Sequence, residues 1–407
     1  MPRPTASILF GVTSDQTLVV LRPRILALRR AGFSIAVLSS PGPHHDRLAT
    51  ELRSGLQSEL ESEVESGQGI AFYPIAIRRG IAPLADALAF LRIFVLLLRL
   101  RPAAVDFSTP KAALLGLIAA RLLRIRLRIH TLRGLRAESA NNLLRPLLLL
   151  AERLTSSCAH VVLCNSPSLL QQATLLSIAP PRKLRMLAHG SSHGVDLDHY
   201  HPGISPLRAK LGIPPDAQVF GFVGRLTRHK GIPELIDAFD QIAPAYPNGW
   251  LLLVGWLDQS EDSLSPALAR HIASHPRITL TGFVEDVAPF YRAMDIFILP
   301  THREGFPNAA LEAAATALAI ITTTATGARD AVVPDQTGLL VPPSDSAALA
   351  AAMRRLLDDP ALRRQMGNAA RAWVEQNYAQ QDVLDATVSY FQEMLPEPVP
   401  DSMRAAP

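Results

Sequence analysis

The sequence predicts an α/β fold: two Rossmann-like domains facing one another across a cleft, with a C-terminal helix returning to the first. Three observations carry this. A 407-residue chain is too long for one ordinary core. Short β-rich runs alternate with helical stretches along most of it, the pattern of a parallel sheet with helices on both faces. The alternation breaks at Asp196–Pro215, which holds four prolines, and then starts again.

In the first half, strands are expected at Ser7–Val12, Ser34–Ser39, Ile70–Ile77, Ala104–Phe107, Ile125–Thr131, Val161–Asn165 and Lys183–Leu187. Helical spacing of apolar residues marks Leu21–Ala31, Pro83–Leu100, Ala112–Leu123, Leu143–Ser157 and Pro167–Ser177. The second half gives strands at Val219–Val223, Trp250–Val254, Ile278–Thr281, Ile296–Leu299, Ala319–Thr323 and Gly338–Val341. Its helices are Gly231–Ala243, Pro266–Ser274, Val287–Met294, Asn308–Ala317, Ser346–Asp358 and Pro360–Val374. A last helix, Gln381–Leu395, is long enough to cross back over the first domain. The expected domains are residues 1–197 and 216–375, then the returning helix at 376–395 and a disordered tail at 396–407.

Composition narrows the class. Hydrophobic residues make up 48% and charged residues 19%, enough apolar material for large buried sheets. The two cysteines, Cys158 and Cys164, stand in apolar surroundings with no metal-knuckle spacing, as expected of inert thiols in a reduced cytoplasmic protein. The N-terminus lacks the apolar core of a signal peptide. The longest apolar stretch, Leu84–Leu100, is interrupted by Asp86, Arg92 and Arg99, so a packed or surface-lying helix is expected rather than a membrane span.

Charge is unevenly shared. Residues 1–199 carry 24 Lys and Arg against 13 Asp and Glu, whereas residues 200–407 carry 16 against 23. Arg121, Arg124, Arg126, Arg128, Arg133 and Arg136 follow one another with no acid between. The first half therefore expects an anionic partner, such as an anionic membrane surface or a lipid diphosphate. Nucleic acid is disfavoured by the acidic second half and by an aromatic content of only 6%, which leaves few stacking positions.

The most informative stretch is Glu304-Gly-Phe-Pro-Asn-Ala-Ala-Leu-Glu312, directly after the apolar run Ile296–Pro300. One carboxylate lies in the loop at a strand exit and the other on the helix begun near Asn308. Ligands bind at this edge of an open α/β sheet, and two carboxylates there can grip the hydroxyls of a sugar and a ribose. A second stretch, Gly221-Phe-Val-Gly-Arg-Leu-Thr-Arg-His-Lys-Gly231, also joins a strand to a helix. Its Arg225 and Lys230, beside a helix N-terminus, suit a diphosphate and the charge it gains on leaving. It has neither the dinucleotide nor the Walker spacing of glycines.

Other strand exits supply the remaining candidates. Gly282, Phe283 and Val284 can pair with and cover a base. Lys111 and Arg133 can orient an anionic acceptor or touch the donor phosphate. His130, as a general base, and His193 are candidates for the cleft, although a histidine closing an apolar run is more often a core residue. No group has convincing metal-ligand spacing, so cationic side chains would do the work of a divalent ion.

These residues resemble the retaining GT-B glycosyltransferases of family 4, a likeness covering roughly residues 5–375. Glu304 through Glu312 matches that family's EX7E signature, and Gly224-Arg-Leu with Lys230-Gly231 its phosphate-binding segment. The resemblance implies Glu304 on sugar hydroxyls, Glu312 on the ribose, Arg225 and Lys230 on the diphosphate, and the backbone near Phe283 and Val284 on the base. It implies a UDP-sugar donor with no metal or other cofactor. Ser40-Pro-Gly42, Thr109-Pro-Lys-Ala112, Thr131-Leu-Arg-Gly-Leu135 and Gly190-Ser-Ser-His-Gly-Val-Asp196 look like members that extend a sugar on undecaprenyl diphosphate. That narrower likeness implies a polyprenyl-diphosphate-linked acceptor and peripheral association with the inner face of the cell membrane. Arg133 stands where a histidine is common in the wider family, and His130 where an aromatic is usual. Transfer to a soluble acceptor, 2-epimerisation of a UDP-sugar and non-enzymatic sugar binding are the alternatives.

Overall fold

The computed structural model describes residues 7–42, 46, 50, 70–78, 80, 82–140, 142–258 and 262–395. The first six residues and the tail expected at 396–407 lie outside the described residues. The N-terminal lobe follows the expected alternation. It runs β1 (Ser7–Gly11), α1 (Gln16–Arg30), β2 (Ser34–Ser39), β3 (Ala71–Pro74), α2 (Pro83–Leu100), β4 (Ala104–Phe107) and α3 (Pro110–Leu122). β5 (Leu127–Leu132), α4 (Arg145–Cys158), β6 (Val161–Cys164), α5 (Pro167–Leu175) and β7 (Leu184–Arg185) complete it. The short helix α6 (Leu207–Lys210) sits in the Pro-rich connection.

The second lobe runs β8 (Gln218–Val223), α7 (Ile232–Ile242), β9 (Gly249–Val254), α8 (Pro266–Ser274), β10 (Ile278–Leu280), α9 (Ala288–Tyr291) and β11 (Ile296–Leu299). It continues with α10 (Asn308–Ala315), β12 (Ala319–Thr323), β13 (Gly338–Val341), α11 (Ser346–Asp358), α12 (Pro360–Asn377) and α13 (Gln380–Met394). The strand orders are β3-β2-β1-β4-β5-β6-β7 and β10-β9-β8-β11-β12-β13, and the pairings are parallel. This is the GT-B arrangement of two Rossmann-like lobes with a terminal helix.

Each sheet reverses its strand order beside its first strand, between β1 and β4 and between β8 and β11. The connections there leave in opposite directions and open a crevice at the strand ends. The loops after β8 and β11 are the two that carry Arg225, Lys230 and Glu304. Topology therefore brings together residues that the sequence keeps apart.

Many expected boundaries move by a few residues. α1 begins at Gln16 rather than Leu21, because Leu18 joins Leu21, Ile25 and Leu28 on one buried stripe that runs on past Pro23. β3 ends at Pro74, although the Ile75 N–H still donates to the Ser39 carbonyl at 2.9 Å. The helix expected at Val287–Met294 shortens to α9 and ends in a turn, with the Met294 N–H on the Tyr291 carbonyl. α13 does return to the first lobe: Phe391 is fully buried, with ring centroids 6.3 Å from Phe10 and 6.4 Å from Phe33. An isolated bridge between Val195 and Ala379 ties the two crossings of the chain.

α2, α3 and α4 cover one face of the first sheet and pack side by side. Their outer surface is apolar. Leu84 is 89% exposed and Leu143 88%, and Leu88, Leu91, Leu122, Leu147, Leu150 and Leu154 are also exposed. Arg92, Arg99, Arg101, Arg121, Arg145 and Arg153 stand exposed on the same helices or at their ends. Both cysteines are buried, and burial pushes the Cys164 thiol up to about 12.

Candidate active site

Behind β8 the chain turns through Gly224 (φ +145°) and places Arg225, whose Nη1 meets Asp258 Oδ2 at 2.8 Å. It then reaches Gly231 (φ +74°), the N-cap of α7. A Cβ at this position would overlap the Pro300 carbonyl oxygen, so glycine alone lets this turn lie against the exit of β11. The consequence is a direct ion pair between the Lys230 ammonium and Glu304 Oε1. Both side chains are largely covered, at 20% and 15% exposure.

Glu312 lies one helical face further along, on α10. Its Oε2 accepts a 2.7 Å hydrogen bond from the Tyr291 hydroxyl, and Tyr200 packs edge-on against Tyr291 with centroids 5.9 Å apart. Burial pushes the Glu312 carboxyl up to about 7, and the Tyr291 hydrogen bond opposes part of that rise. Asn308, between the two carboxylates, reaches across the lobes to His193, with Nδ2 and Nε2 3.0 Å apart.

Arg133 enters from β5. Its Nη1 donates to Ser192 Oγ at 3.1 Å, and the Asn165 amide donates to the same oxygen at 3.1 Å. The Arg133 backbone abuts Gly305, where a Cβ would come within 2.7 Å of the Arg133 carbonyl carbon. Burial, reinforced by Arg24, lowers Arg133 to about 10. Burial and then Arg133 lower His193 to about 4, so its ring is neutral at pH 7. Arg133 Nε, His193 Nδ1, Asn308 Oδ1 and Arg303 Nε are buried without a hydrogen-bond partner among the described residues. Unspent polar atoms in a covered site are costly, and here they converge on the lobe junction.

Two sequence candidates are placed elsewhere. His130 is a core residue, 2% exposed between β5 and α4, with Nε2 3.8 Å from Glu152 Oε2 and Nδ1 3.4 Å from Ser156 Oγ. Its position on β5 turns it to the sheet face opposite Thr131, and burial lowers it to about 4. Lys111 is held by Asp86 at 2.7 Å and by the Gly80 carbonyl. Its ammonium closes the start of α2, not the Glu304 site.

The loop expected to hold a base does sit beside the Arg225 turn. Gly282 (φ +73°) bridges to Gly255, which itself abuts Gly224. Phe283 is 58% exposed, its ring edge-on to Trp256 at 5.5 Å, and Val284 packs on the second-lobe core. Sequence reasoning missed Asp258, Tyr291 and Tyr200, and named Ser192 only within the loop Gly190–Asp196. Tyr291 had a signal as part of an expected helix, whereas Asp258 and Tyr200 reach their partners through tertiary contact. Among the described residues, no group of His, Cys, Asp or Glu is placed to hold a metal ion.

Comparison with known proteins matches residues 20–190 to the model described as glycosyl transferase 4-like domain, and residues 204–373 to glycosyl transferases group 1. The capsular polysaccharide biosynthesis glycosyltransferase CapM of Staphylococcus aureus is 32% identical over 387 residues, covering 95% of this chain and 97% of that protein. The lipopolysaccharide core biosynthesis glycosyltransferase LpsE of Rhizobium meliloti is 26% identical over 239 residues, covering 58% and 64%. Among solved structures, Anabaena HepE in complex with UDP-glucose superposes with a TM-score of 0.75 at 19% identity, over 95% of this chain and 100% of that one. Sucrose-phosphate synthase from Thermosynechococcus elongatus gives 0.74 at 21%, over 95% and 99%.

Proposed function

Because this chain belongs to the family 4 glycosyltransferases of the GT-B fold, we propose that it moves a hexose or N-acetylhexosamine from a UDP-sugar to a sugar carried on a polyprenyl diphosphate. Transfer proceeds with retention. In this reading Glu304 holds sugar hydroxyls, Lys230 and Arg225 hold the diphosphate, Glu312 holds the ribose, and the Gly282–Val284 backbone holds the base. Asn308, His193 and Arg133 line the junction where the acceptor meets the donor. An acceptor hydroxyl attacks the anomeric carbon as its bond to the diphosphate oxygen breaks. The hydroxyl proton passes to that departing oxygen, and Lys230 and Arg225 stabilise the remaining charge. Lys230 must then divide its ammonium between Glu304 and the phosphate, so donor binding rearranges an existing ion pair.

The outward leucine surface carries the lipid-linked acceptor. Helices that follow parallel strands begin at the edge where the strands end, so Leu84 and Leu143, at the starts of α2 and α4, stand on the cleft side of this face. Apolar side chains flanked by arginines suit the interface of an anionic bilayer, where the leucines enter and the guanidiniums meet lipid phosphates. A polyprenyl diphosphate lies in that interface with its sugar towards the cytoplasm. Among the described residues, no helix is long and apolar enough to cross a membrane.

The test combines sedimentation with vesicles and a transfer assay. Wild type should bind vesicles containing anionic lipid more than neutral ones and glycosylate a detergent-dispersed polyprenyl-diphosphate sugar. Leu147→Asp with Leu150→Asp should lose vesicle binding by tenfold or more, with the transfer to detergent-dispersed acceptor retained. Transfer to a free sugar without lipid would assign a soluble acceptor instead. Isomerised donor without acceptor would assign an epimerase, and a dimer abolished by the double substitution would assign the leucines to a second copy of the chain.

A further inference from the structure

The lobes also meet away from the Lys230–Glu304 pair. Ser166 caps α5 in the usual way, its hydroxyl accepting the Leu169 N–H at 3.3 Å. Two residues on, Ser168 directs both its N–H, at 2.9 Å, and its hydroxyl at Oδ2 of Asp330, which belongs to the other lobe. Ser168 Oγ in turn accepts the Gly327 N–H at 2.7 Å. Asp330 thus caps the first turn of a nine-residue helix from across the junction, where free amides and the helix dipole favour a carboxylate. The same loop makes two more crossings. The Thr326 hydroxyl donates to Glu138 Oε1 at 2.6 Å, and Arg329 Nη2 donates to Gln171 Oε1 at 3.1 Å.

This loop also backs Glu304. The Glu304 N–H donates to the Thr326 carbonyl at 2.9 Å, and Gly327 (φ +75°) lies so close that a Cβ would meet the Glu304 carbonyl oxygen at 2.5 Å. A movement of residues 326–330 therefore moves Glu304. We propose that Ser168 and Asp330 are positioning residues for sugar transfer: their cross-lobe cap sets lobe closure and, through Thr326 and Gly327, the placement of Glu304 against the acceptor lobe. The inference rests on the transferase reading, in which Glu304 holds the donor sugar. A polar clasp can exchange its hydrogen bonds for water each time the lobes part, whereas apolar packing here would lose its burial in every cycle. Neither residue touches the Lys230, Arg225 or Glu312 contacts, so donor binding and lobe alignment are separable.

The experiment uses full-length Ser168→Ala and Asp330→Asn, one from each side of the clasp, with Asp330→Glu as the conservative variant. UDP affinity by calorimetry should stay within about twofold of wild type, since the donor contacts are intact. The kcat for transfer should fall about tenfold or more in both variants and recover in part in Asp330→Glu. Hydrolysis of donor relative to transfer should rise, and the radius of gyration in solution with UDP should exceed that of wild type. Unchanged kcat and radius in both variants would overturn the clasp and leave the transferase standing. Loss of UDP binding with a lowered melting temperature in both would also overturn it, showing a structural role alone. No transfer by wild type with any acceptor would overturn the transferase reading and this inference with it.

Discussion

The Lys230 ammonium touches the Glu304 carboxylate, although 74 residues separate them in the chain. The cation expected on the diphosphate and the acid expected on the sugar are therefore one ion pair at the switch point of the second sheet. Each residue sets the charge the other presents to a donor.

Removing one partner should not equal removing the other. Glu304→Ala frees Lys230 for phosphate, so UDP should bind at least as tightly while kcat/KM for transfer falls by about 100-fold or more. Lys230→Ala leaves Glu304 as an unpaired acid facing an anionic ligand, and UDP affinity should fall about tenfold or more. Calorimetry with UDP on both variants checks this. Weaker UDP binding in Glu304→Ala than in Lys230→Ala would contradict the pairing.

Glu312 should make donor binding depend on pH. Its carboxyl is raised from 4.5 to about 7 in the folded protein, so it favours the folded state most below the lower value and loses that contribution as pH rises through the upper one. A ribose hydroxyl donates best to the ionised form, so UDP affinity should rise from about pH 6 to about pH 8. The UDP phosphate itself titrates near pH 6, so Glu312→Gln is the control. Gln should bind UDP about tenfold more weakly at about pH 8 and show a smaller pH slope. Equal slopes in the two proteins would remove Glu312 from the donor site.

Gly231→Ala tests the turn that delivers Lys230. The left-handed backbone costs about 1–2 kcal/mol with any Cβ, and the overlap with Pro300 adds to it. Gly212→Ala has a similar φ, +68°, but nothing within 4 Å of its Cβ, so it should show the backbone cost alone. Urea unfolding should find Gly231→Ala the less stable, with a loss of transfer that Gly212→Ala does not share.

His130 lies within β5 and Arg133 one residue beyond its end, and their substitutions should diverge. His130→Gln should leave kcat/KM within about threefold and lower stability by about 1–3 kcal/mol, the cost of disturbing a buried polar contact. Arg133→Gln should lower kcat/KM by about 100-fold if its guanidinium meets ligand at the junction. A folded His130→Gln protein with no turnover would return the histidine to the mechanism.

The sequence by itself determined the α/β class, the restart of the pattern after the Pro-rich connection, and the carboxylate and cation motifs. These are local properties: apolar periodicity, strand-exit glycines and spacing within one loop and helix. Ala104–Phe107, Pro83–Leu100 and Ile296–Leu299 fall where the pattern placed them. Partners and facing directions were decided by the tertiary structure. Nothing in the spacing of Lys230, Asp258 and Glu304 announces which acid meets which cation, since strand order chooses the neighbours. Arg133 reaches the junction and His130 the core because one follows the strand's exit and the other lies within the strand against α4. Leucine spacing marks the helix expected at Leu143–Ser157, and only the packing of α4 shows that Glu152, Thr155 and Ser156 face inward and much of the leucine row faces out. Periodicity tells that a helix has two faces, and only the neighbours it packs against decide which one is covered.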